Sequence, residues 1–188
     1  MGEDLRKIVE EAFQLSLDQL KDNLLPLLNG IKEFGVARLM ELVPDLVPRL
    51  VGRLREIDVT RFTRENPEIS AKFMDILWEG ISLLVEKNPD VKEALQRAGE
   101  VSVNLEALDS PMKGHFRISG GKLSGGSGLL DKADLSIKGY TQAMIEVLLG
   151  DRDPTEAFFK QLIKTDGNIP LAMRVSSAMM EVSQLLRA

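Results

Sequence analysis

The stretch ADLSIKGYTQAMIEVLLGDRDPTEAFFKQLIKTDGNIPLA, residues 133–172, has the most specific pattern in the chain. Leu135 and Ile137 alternate with polar residues, as in a half-buried strand. A second strand is predicted from Ile163 to Thr165, and the residues between the two strands have the pattern of two helices. A last helix is predicted to begin at Pro170, because proline is favoured in the first turn. The stretch therefore predicts strand, helix, helix, strand and helix, in that order.

Three more strands are predicted upstream of this stretch. Apolar and polar residues alternate over residues 101–106 and again over residues 112–119, which indicates two half-buried strands. Gly120-Gly121 has the composition of a hairpin turn, and residues 122–128 form a weaker strand because glycine disfavours extended structure. Hairpins followed by strand–helix connections predict an α+β fold, in which helices cover one face of a five-stranded mixed sheet.

The N-terminal third of the chain is predicted to be helical, in three segments. Pro26 and the Asn29-Gly30 pair are expected to end the first helix. The second segment is expected over residues 31–43. The third, over residues 45–57, should be interrupted by Pro48, because proline removes a backbone donor from a helix.

Residues 42–54, LVPDLVPRLVGRL, are rich in leucine and valine. This segment is expected to pack against its own domain, a second subunit or a lipid surface. Asn66-Pro67-Glu68 has the cap, proline and acidic residue of a helix start. The helix that follows is apolar over so wide an arc that we place it between the N-terminal helices and the sheet. We therefore divide the chain into a helical N-terminal extension, residues 1–65, and a sheet domain, residues 66–188.

The final helix carries two apolar stripes. One follows the spacing of a buried helix face from Leu171 to Leu186. Met173 and Met180 lie on the opposite side of the same helix. Methionine suits an adaptable apolar wall and also fills cores. The pattern therefore leaves open core packing, a ligand wall and a subunit interface for this second stripe.

Composition and charge exclude several classes of function. The net charge is −5, and no part of the chain has the basic excess that nucleic-acid binding requires. The chain has no cysteine, which excludes disulfides and thiolate chemistry and fits a cytoplasmic location. The sequence shows neither the pattern of a signal peptide nor an apolar run long enough to cross a bilayer.

One small basic cluster, Lys113, Arg117 and Lys122, falls on the predicted strands. Its ordinary interpretation is a solvated strand face. The alternative is a transient contact with a lipid headgroup or a membrane surface.

No arrangement of residues typical of catalysis or metal binding stands out. His115 is the only histidine, and strand alternation places it opposite Phe116, on the polar side. The glycines from Gly120 to Gly128 join strands, whereas a phosphate-binding loop connects a strand to a helix. One histidine, no cysteine and no acidic residues at calcium-loop spacing indicate no metal site. We therefore predict a binding protein without a cofactor, not an enzyme.

Several short motifs within residues 133–172 share their spacing with a known family. They are Ala133-Asp134 before alternating apolar residues, a helix with Met144 and Leu148 that ends at Gly150, Pro154 with Ala157 and Phe158, and Lys164, Gly167, Asn168, Leu171 and Ala172. Together they resemble the core of the sterol carrier protein type 2 family of lipid carriers, whose order of elements matches residues 67–188. That family often has glycine where Gln161 stands and an apolar residue where Thr165 stands. Residues 1–60 lie outside the family core.

The resemblance implies an apolar tunnel between the sheet and the helices, in which a fatty acid, acyl-CoA, sterol or isoprenoid is carried without a covalent step. The residues expected to line this tunnel are Phe116, Ile118, Leu135, Ile137, Met144, Leu148, Phe158, Phe159, Met173, Met179 and Met180. Of the adjacent pair Phe158 and Phe159, one is expected in the core and the other towards the tunnel or solvent. The alternative function is that of a non-enzymatic accessory or assembly protein, whose N-terminal helices would bind a protein partner or a second copy of the chain.

Overall fold

Five strands form one mixed sheet in the computed structural model, which describes residues 2–20 and 22–187. The strands lie in the order β3-β2-β1-β4-β5. The central pair β1 and β4 is parallel, and the other three pairs are antiparallel. The strands are β1 Val101–Ala107, β2 Lys113–Ser119, β3 Lys122–Ser127, β4 Leu135–Gly139 and β5 Ile163–Gly167. The predicted α+β fold with a five-stranded mixed sheet is confirmed.

Helices cover one face of this sheet and continue into an N-terminal helical layer. The helices of that layer are α1 Gly2–Gln14, α2 Leu17–Leu20, α3 Leu24–Phe34, α4 Val36–Leu42, α5 Leu46–Arg55 and α6 Val59–Glu65. The helices nearer the sheet are α7 Pro67–Glu86, α8 Pro89–Ala98, α9 Thr141–Leu148, α10 Pro154–Phe159 and α11 Ile169–Gln184. The buried residues of both groups belong to one continuous hydrophobic core.

The strand register places apolar side chains in rows on the face that the helices cover. Val103 of β1 lies between Phe116 of β2 and Leu135 of β4, and all three are buried. The intervening residues, among them Ser102 and Glu106, are half-buried on the opposite face. The alternation in the sequence therefore records which face each side chain occupies.

A glycine of β3 lets an aromatic side chain of α7 reach the sheet. Gly125 pairs with Phe116, and a Cβ atom at Gly125 would lie 2.6 Å from Cδ2 of Trp78. The Trp78 ring occupies this space and stacks on Phe116, with 5.4 Å between the ring centroids and 28° between the ring planes. The glycine-rich strand is therefore shaped to receive Trp78.

Helix α7 lies between the sheet and the N-terminal helices, as its wide apolar arc predicts. One side of α7 packs on β3, and α3 to α6 pack on its other sides. Gly80 makes the contact with α5 close, because a Cβ atom there would lie 2.5 Å from Cγ2 of Val47. The small residue in mid-helix is thus explained by packing, which offsets its poor helix propensity.

The predicted ends of the N-terminal helices are wrong in two places. Pro26 lies in the first turn of α3, and α3 continues through Gly30 to end before Gly35, whose φ is +97°. Pro48 lies in the first turn of α5, which runs without interruption. The first turn of a helix tolerates proline because its backbone N–H groups have no partner within the helix.

The first helix instead ends near a capping box that the sequence analysis missed. The Ser16 N–H donates to Oε1 of Gln19 at 2.8 Å, and the Gln19 N–H donates to Oγ of Ser16 at 3.3 Å. Such reciprocal bonds begin a new helix. The predicted single helix up to Pro26 is therefore divided into α1, α2 and the start of α3.

The Leu- and Val-rich segment of residues 42–54 packs within its own chain. Leu46, Val47, Leu50, Val51 and Leu54 are all buried, and α5 packs on α7. Of the three expected contacts of this segment, the structure shows the one within the same chain, although its partner α7 belongs to the predicted sheet domain.

Candidate functional site

An apolar cavity lies between the helix-covered face of the sheet and the layer formed by α9, α10 and α11. We call it the sheet cavity. Its volume is about 350 Å³, which lies at the lower end of the range of about 300–1,000 Å³ for small-molecule sites. Twenty residues line it: Leu105, Phe116, Leu135, Ile137, Met144, Val147, Leu148, Pro154, Thr155, Phe158, Phe159, Ile163, Thr165, Ile169, Ala172, Met173, Val175, Ser176, Met179 and Met180.

The floor of the sheet cavity is built from strand residues that the register brings side by side. Leu105 of β1 lies next to Ile137 of β4, which in turn pairs with Thr165 of β5. Phe116 completes the floor, held in place by the stacked Trp78 ring on its flank. The floor is therefore almost wholly apolar, with one hydroxyl at Thr165.

The helical walls begin at residues with a well-defined capping role. The Asp153 carboxylate accepts a hydrogen bond from the Glu156 N–H at 2.9 Å at the start of α10. The Asn168 side chain accepts one from the Leu171 N–H at 2.9 Å at the start of α11. Each cap is followed by a proline in the first turn, and the predicted start of the last helix at Pro170 is confirmed to within one residue.

Helix α9 is anchored by a residue that is distant in sequence. Asp109, in the loop after β1, accepts hydrogen bonds from the Thr141 N–H at 2.8 Å and from the Thr141 hydroxyl at 2.7 Å. Burial of Asp109 by itself raises the pKa of its carboxyl, but these hydrogen bonds favour the charged form more strongly. The pKa of Asp109 therefore lies below its ordinary value.

The Ala-Asp motif before β4 joins the two parallel strands. The Asp134 carboxylate accepts hydrogen bonds from both the backbone N–H and the hydroxyl of Ser102, each at 2.7 Å. The hydroxyl is the main cause, and the N–H the second, of a pKa for Asp134 below its ordinary value. This motif fixes the register of β4, and thereby the positions of Leu135 and Ile137 in the floor.

Ten of the eleven tunnel residues expected from the sequence line the sheet cavity. They are Phe116, Leu135, Ile137, Met144, Leu148, Phe158, Phe159, Met173, Met179 and Met180. Ile118 lies elsewhere: it is 1% exposed, pairs with Val101 and Leu123, and belongs to the core where β2 packs on α8.

The expectation that one of Phe158 and Phe159 lies in the core is wrong. Phe158 is 46% exposed and Phe159 is 78% exposed. Their rings contact each other edge to face, with 6.0 Å between the ring centroids. Ala157 is the residue of α10 that enters the core. Both phenylalanines line the cavity at its rim instead.

The second methionine stripe of α11 also lies at the rim. Met173 is 67% exposed and Met180 is 51% exposed, and both line the cavity. The other stripe of α11, with Val175, Ala178 and Val182 buried, packs on α8.

Ten lining residues were missing from the expected set. They are Leu105, Val147, Pro154, Thr155, Ile163, Thr165, Ile169, Ala172, Val175 and Ser176. Leu105 lies on the same face of β1 as Val103, so the alternation in the sequence could have predicted Leu105 as a lining residue. The inward position of Ser176 depends on how α11 is rotated against α8, which the sequence pattern does not give.

Gln161 has a backbone conformation that explains the glycine often found at this position in the family that the chain resembles. Its φ is +57°, the one positive φ among the non-glycine residues that the structure describes. Its N–H donates to the Phe158 carbonyl, and the next N–H, of Leu162, donates to the Ala157 carbonyl. Gln161 thus ends α10 in the left-handed conformation that glycine adopts at lower cost.

The opposite face of the sheet is polar and basic. Lys113 and Lys138 both approach the Glu106 carboxylate, at 3.7 and 3.1 Å, and Arg117 and Lys122 are exposed. His115 also lies there, with Nδ1 2.9 Å from the carbonyl oxygen of Gly128. The predicted cluster Lys113, Arg117 and Lys122 is therefore exposed on the side of the sheet away from the cavity.

The described residues, 2–20 and 22–187, offer neither a metal-binding cluster nor a membrane-spanning helix. They contain no group of three or more His, Cys, Asp and Glu side chains placed to hold a metal ion. None of the helices within them combines the length and the hydropathy needed to cross a bilayer.

Solved structures with a similar arrangement come from proteins of low sequence identity. One described as UbiJ-SCP2 ubiquinone synthesis protein is 11% identical, with a TM-score of 0.48 over 62% of this chain and 93% of that chain. A crystal structure of sterol carrier protein 2 is 19% identical, with a TM-score of 0.45 over 57% of this chain and 90% of that chain. The apo form of sterol carrier protein 2 from Yarrowia lipolytica is 13% identical, with a TM-score of 0.45 over 65% of this chain and 98% of that chain.

Comparison with curated proteins gave no match. The family model described as the SCP-2 sterol transfer family matches residues 81–180. These residues contain all five strands, α9, α10 and most of α11. Because the match spans more than half of the sequence, the chain belongs to the SCP-2 sterol transfer family.

Proposed function

We propose that the protein is a carrier that holds the apolar part of a lipid in the sheet cavity. The observation that carries this proposal is the lining, in which side chains from four strands and three helices form an almost continuous hydrocarbon surface. Membership of a sterol transfer family points to the same class of ligand. Fatty acids, acyl-CoA, sterols and isoprenoids all have the apolar surface that such a cavity would bury.

The favourable free energy of binding would come from removing the hydrocarbon of the ligand from water. Each CH₂ group that enters the cavity contributes about 0.8 kcal/mol. The polar lining residues Thr155, Thr165 and Ser176 would accept or donate hydrogen bonds to the polar end of the ligand. Binding of this kind is reversible and needs no covalent step.

Ligand exchange requires a path to the outside, and the rim provides one. Phe159, Ile169 and Met173 line the cavity and are also exposed. Exposed apolar residues around a cavity are typical of a surface that contacts a membrane or a second apolar molecule. We place the transient membrane contact at this rim. The cluster of Lys113, Arg117 and Lys122 lies on the far face of the sheet, where Lys113 is already near Glu106.

The function is tested with two adjacent serines of α11. Ser176 is half-buried and lines the cavity, whereas Ser177 is exposed and does not. Ser176→Phe should fill the cavity and weaken binding of a fluorescent fatty acid at least ten-fold, while Ser177→Phe should leave it unchanged. Equal affinity of both variants for the probe would place binding outside the sheet cavity.

Methionine methyl groups give a site-resolved readout of the same experiment. Met144, Met173, Met179 and Met180 line the sheet cavity, so their ¹³C-methyl signals should move when dodecanoate is added. The signal of Met40, buried in α4, serves as the internal control. A saturating change confined to the four cavity methionines would support the carrier function, and unchanged cavity signals would refute it for fatty acids.

A second candidate function, a non-enzymatic accessory or assembly role through the N-terminal helices, has less support. The apolar faces of α3, α4 and α5 are buried against α7. Among the described residues before α7, the exposed large apolar residues are Ile8 in α1 and Leu15 just after it. A native mass measurement of the untagged protein tests this role: a defined dimer or complex would favour it, and a monomer would favour the carrier.

A further inference from the structure

A second apolar cavity lies in the N-terminal helical layer, outside the residues that the family model matches. We call it the helical cavity. It is lined by α1, α2, α3, α5, α6 and α7, with Ile57 from the loop before α6, Met112 from the loop before β2 and Ile145 from α9. Its volume is about 120 Å³. An engineered apolar cavity of about 150 Å³ binds benzene, and the helical cavity is somewhat smaller, so its occupant can be no larger than a single small ring.

The lining of the helical cavity is hydrocarbon except at a few points. Phe13, Leu28, Leu50 and Phe73 are among the side chains that enclose it. Arg53 is the charged residue among the described lining residues, and its guanidinium is already bound to Glu56 at 3.0 Å and to the Leu15 carbonyl. Among the described lining residues no free charge therefore faces the cavity, which favours a neutral occupant.

One polar atom in this lining has no partner within the protein. Oγ of Ser70, in α7, is buried and is the one such side-chain atom without a hydrogen-bond partner among residues 2–20 and 22–187. Buried hydroxyl groups are nearly always hydrogen-bonded, because leaving one unpaired costs its full desolvation. A hydroxyl group that lines an apolar cavity would be satisfied by one polar atom of an occupant.

Taken together, size, neutrality and the Ser70 hydroxyl define one class of ligand. We propose that the helical cavity is a second binding site, which takes a neutral ring-sized apolar molecule whose single hydrogen-bonding group pairs with Oγ of Ser70. This site is distinct from the sheet cavity. Helix α9 separates them, with Ile145 facing the helical cavity and Met144 and Leu148 facing the sheet cavity.

The probes for this site are phenol and toluene, which are of similar size and differ in the hydroxyl group. Met74 and Met112 line the helical cavity, so their ¹³C-methyl signals should shift and saturate when phenol is added to the full-length protein. Ser176→Phe, which fills the sheet cavity, should leave these shifts intact. The result is therefore independent of whether the sheet cavity carries lipid. Shifts that occur only at Met144, Met173, Met179 and Met180, or no saturation at Met74 and Met112, would overturn the proposal.

Two substitutions at one position separate the role of the hydroxyl from that of the cavity. Ser70→Ala removes the hydroxyl and keeps the space, so the affinity for phenol should fall at least five-fold while that for toluene is kept or improved. Ser70→Leu fills the space and should abolish binding of both probes, with the fold checked by circular dichroism. An unchanged phenol-to-toluene ratio in Ser70→Ala would show that the hydroxyl does not select the ligand, and would overturn that part of the proposal.

Discussion

The Arg55 guanidinium makes a two-point ion pair with the Asp151 carboxylate, with Nε 2.7 Å from Oδ2 and Nη2 3.0 Å from Oδ1. Arg55 ends α5 in the N-terminal layer, and Asp151 follows α9, one wall of the sheet cavity. At the other end of α9, Nε of Arg64 donates to the Asp109 carbonyl at 2.6 Å, and Asp109 holds Thr141. The N-terminal helices therefore hold both ends of this wall.

Removing the ion pair should speed local opening of α9 and have only a small effect on the free energy of unfolding of the whole protein. Both side chains are about one-third exposed, so Arg55→Met should cost less than about 1 kcal/mol of unfolding free energy. Hydrogen exchange of the α9 amides should nevertheless become about two- to five-fold faster, since a local restraint of that size is lost. Arg61→Met, which removes the exposed pair with Glu65 within α6, is the control. Unchanged α9 exchange in Arg55→Met would show that the pair does not restrain this helix.

Two glycines in helices should respond to alanine in opposite directions. Alanine at Gly80 places a methyl group 2.5 Å from Cγ2 of Val47, and this overpacking should cost about 1–3 kcal/mol, more than the gain of up to about 1 kcal/mol in helix propensity. At Gly52 of α5, no atom lies within 4 Å of the new Cβ, so Gly52→Ala should stabilise by up to about 1 kcal/mol. Urea unfolding of both variants is the measurement. A stabilised Gly80→Ala would mean that α5 and α7 are less closely packed than described.

Glycine at position 161 should stabilise the protein. Gln161 has a φ of +57°, which costs an ordinary residue roughly 1–2 kcal/mol of folding free energy. Glycine removes this cost, but it also makes the unfolded chain more flexible, which offsets about 0.4–1 kcal/mol of the gain. Gln161→Gly should therefore raise the free energy of unfolding by about 0.5–1 kcal/mol. Lys160→Gly, at a φ of −77°, should lower it instead. Thermal unfolding compares the two, and destabilisation by both would rule out strain at Gln161.

The contribution of Asp109 to stability should depend on pH. Because its pKa is below the ordinary value in the folded protein, the contribution is present above the ordinary aspartate pKa of about 3.9 and is lost as the pH falls through the folded-state pKa. Asp109→Asn should cost about 1–2 kcal/mol at neutral pH through weaker hydrogen bonds to Thr141, and less at about pH 3. Urea unfolding at both pH values is the measurement, with Asp131→Asn, at an exposed loop position, as the control. An equal cost at both pH values would contradict this role.

Local periodicity was sufficient to predict most of the sheet domain. Alternation located β1, β2 and β4, and it assigned Phe116, Leu135 and Ile137 to the apolar face. Pro170 located the start of α11 to within one residue. These signals were sufficient because each depends on residues that are close in sequence.

Features that depend on distant residues could not be predicted in the same way. Whether Pro26 ends a helix or begins one depends on where α3 starts, and the Asn23 side chain makes no capping hydrogen bond that would mark this start in the sequence. The hydrogen bonds that Thr141 donates to Asp109 join residues that are 32 positions apart in the sequence. Ile118 and Phe116 have the same pattern in sequence, and only the position of α8 places Ile118 in the core and Phe116 in the cavity.

Mass spectrometry of organic extracts from the purified, untagged protein tests the carrier function most directly. If the protein is a lipid carrier, the extract should contain one lipid-like molecule per chain. Extracts of Ser176→Phe should lack this molecule, and extracts of Ser177→Phe should contain it. The protein stripped of that lipid should then bind a fluorescent fatty acid in the sheet cavity. A protein that yields no lipid and also fails to bind the fluorescent fatty acid would contradict the central claim.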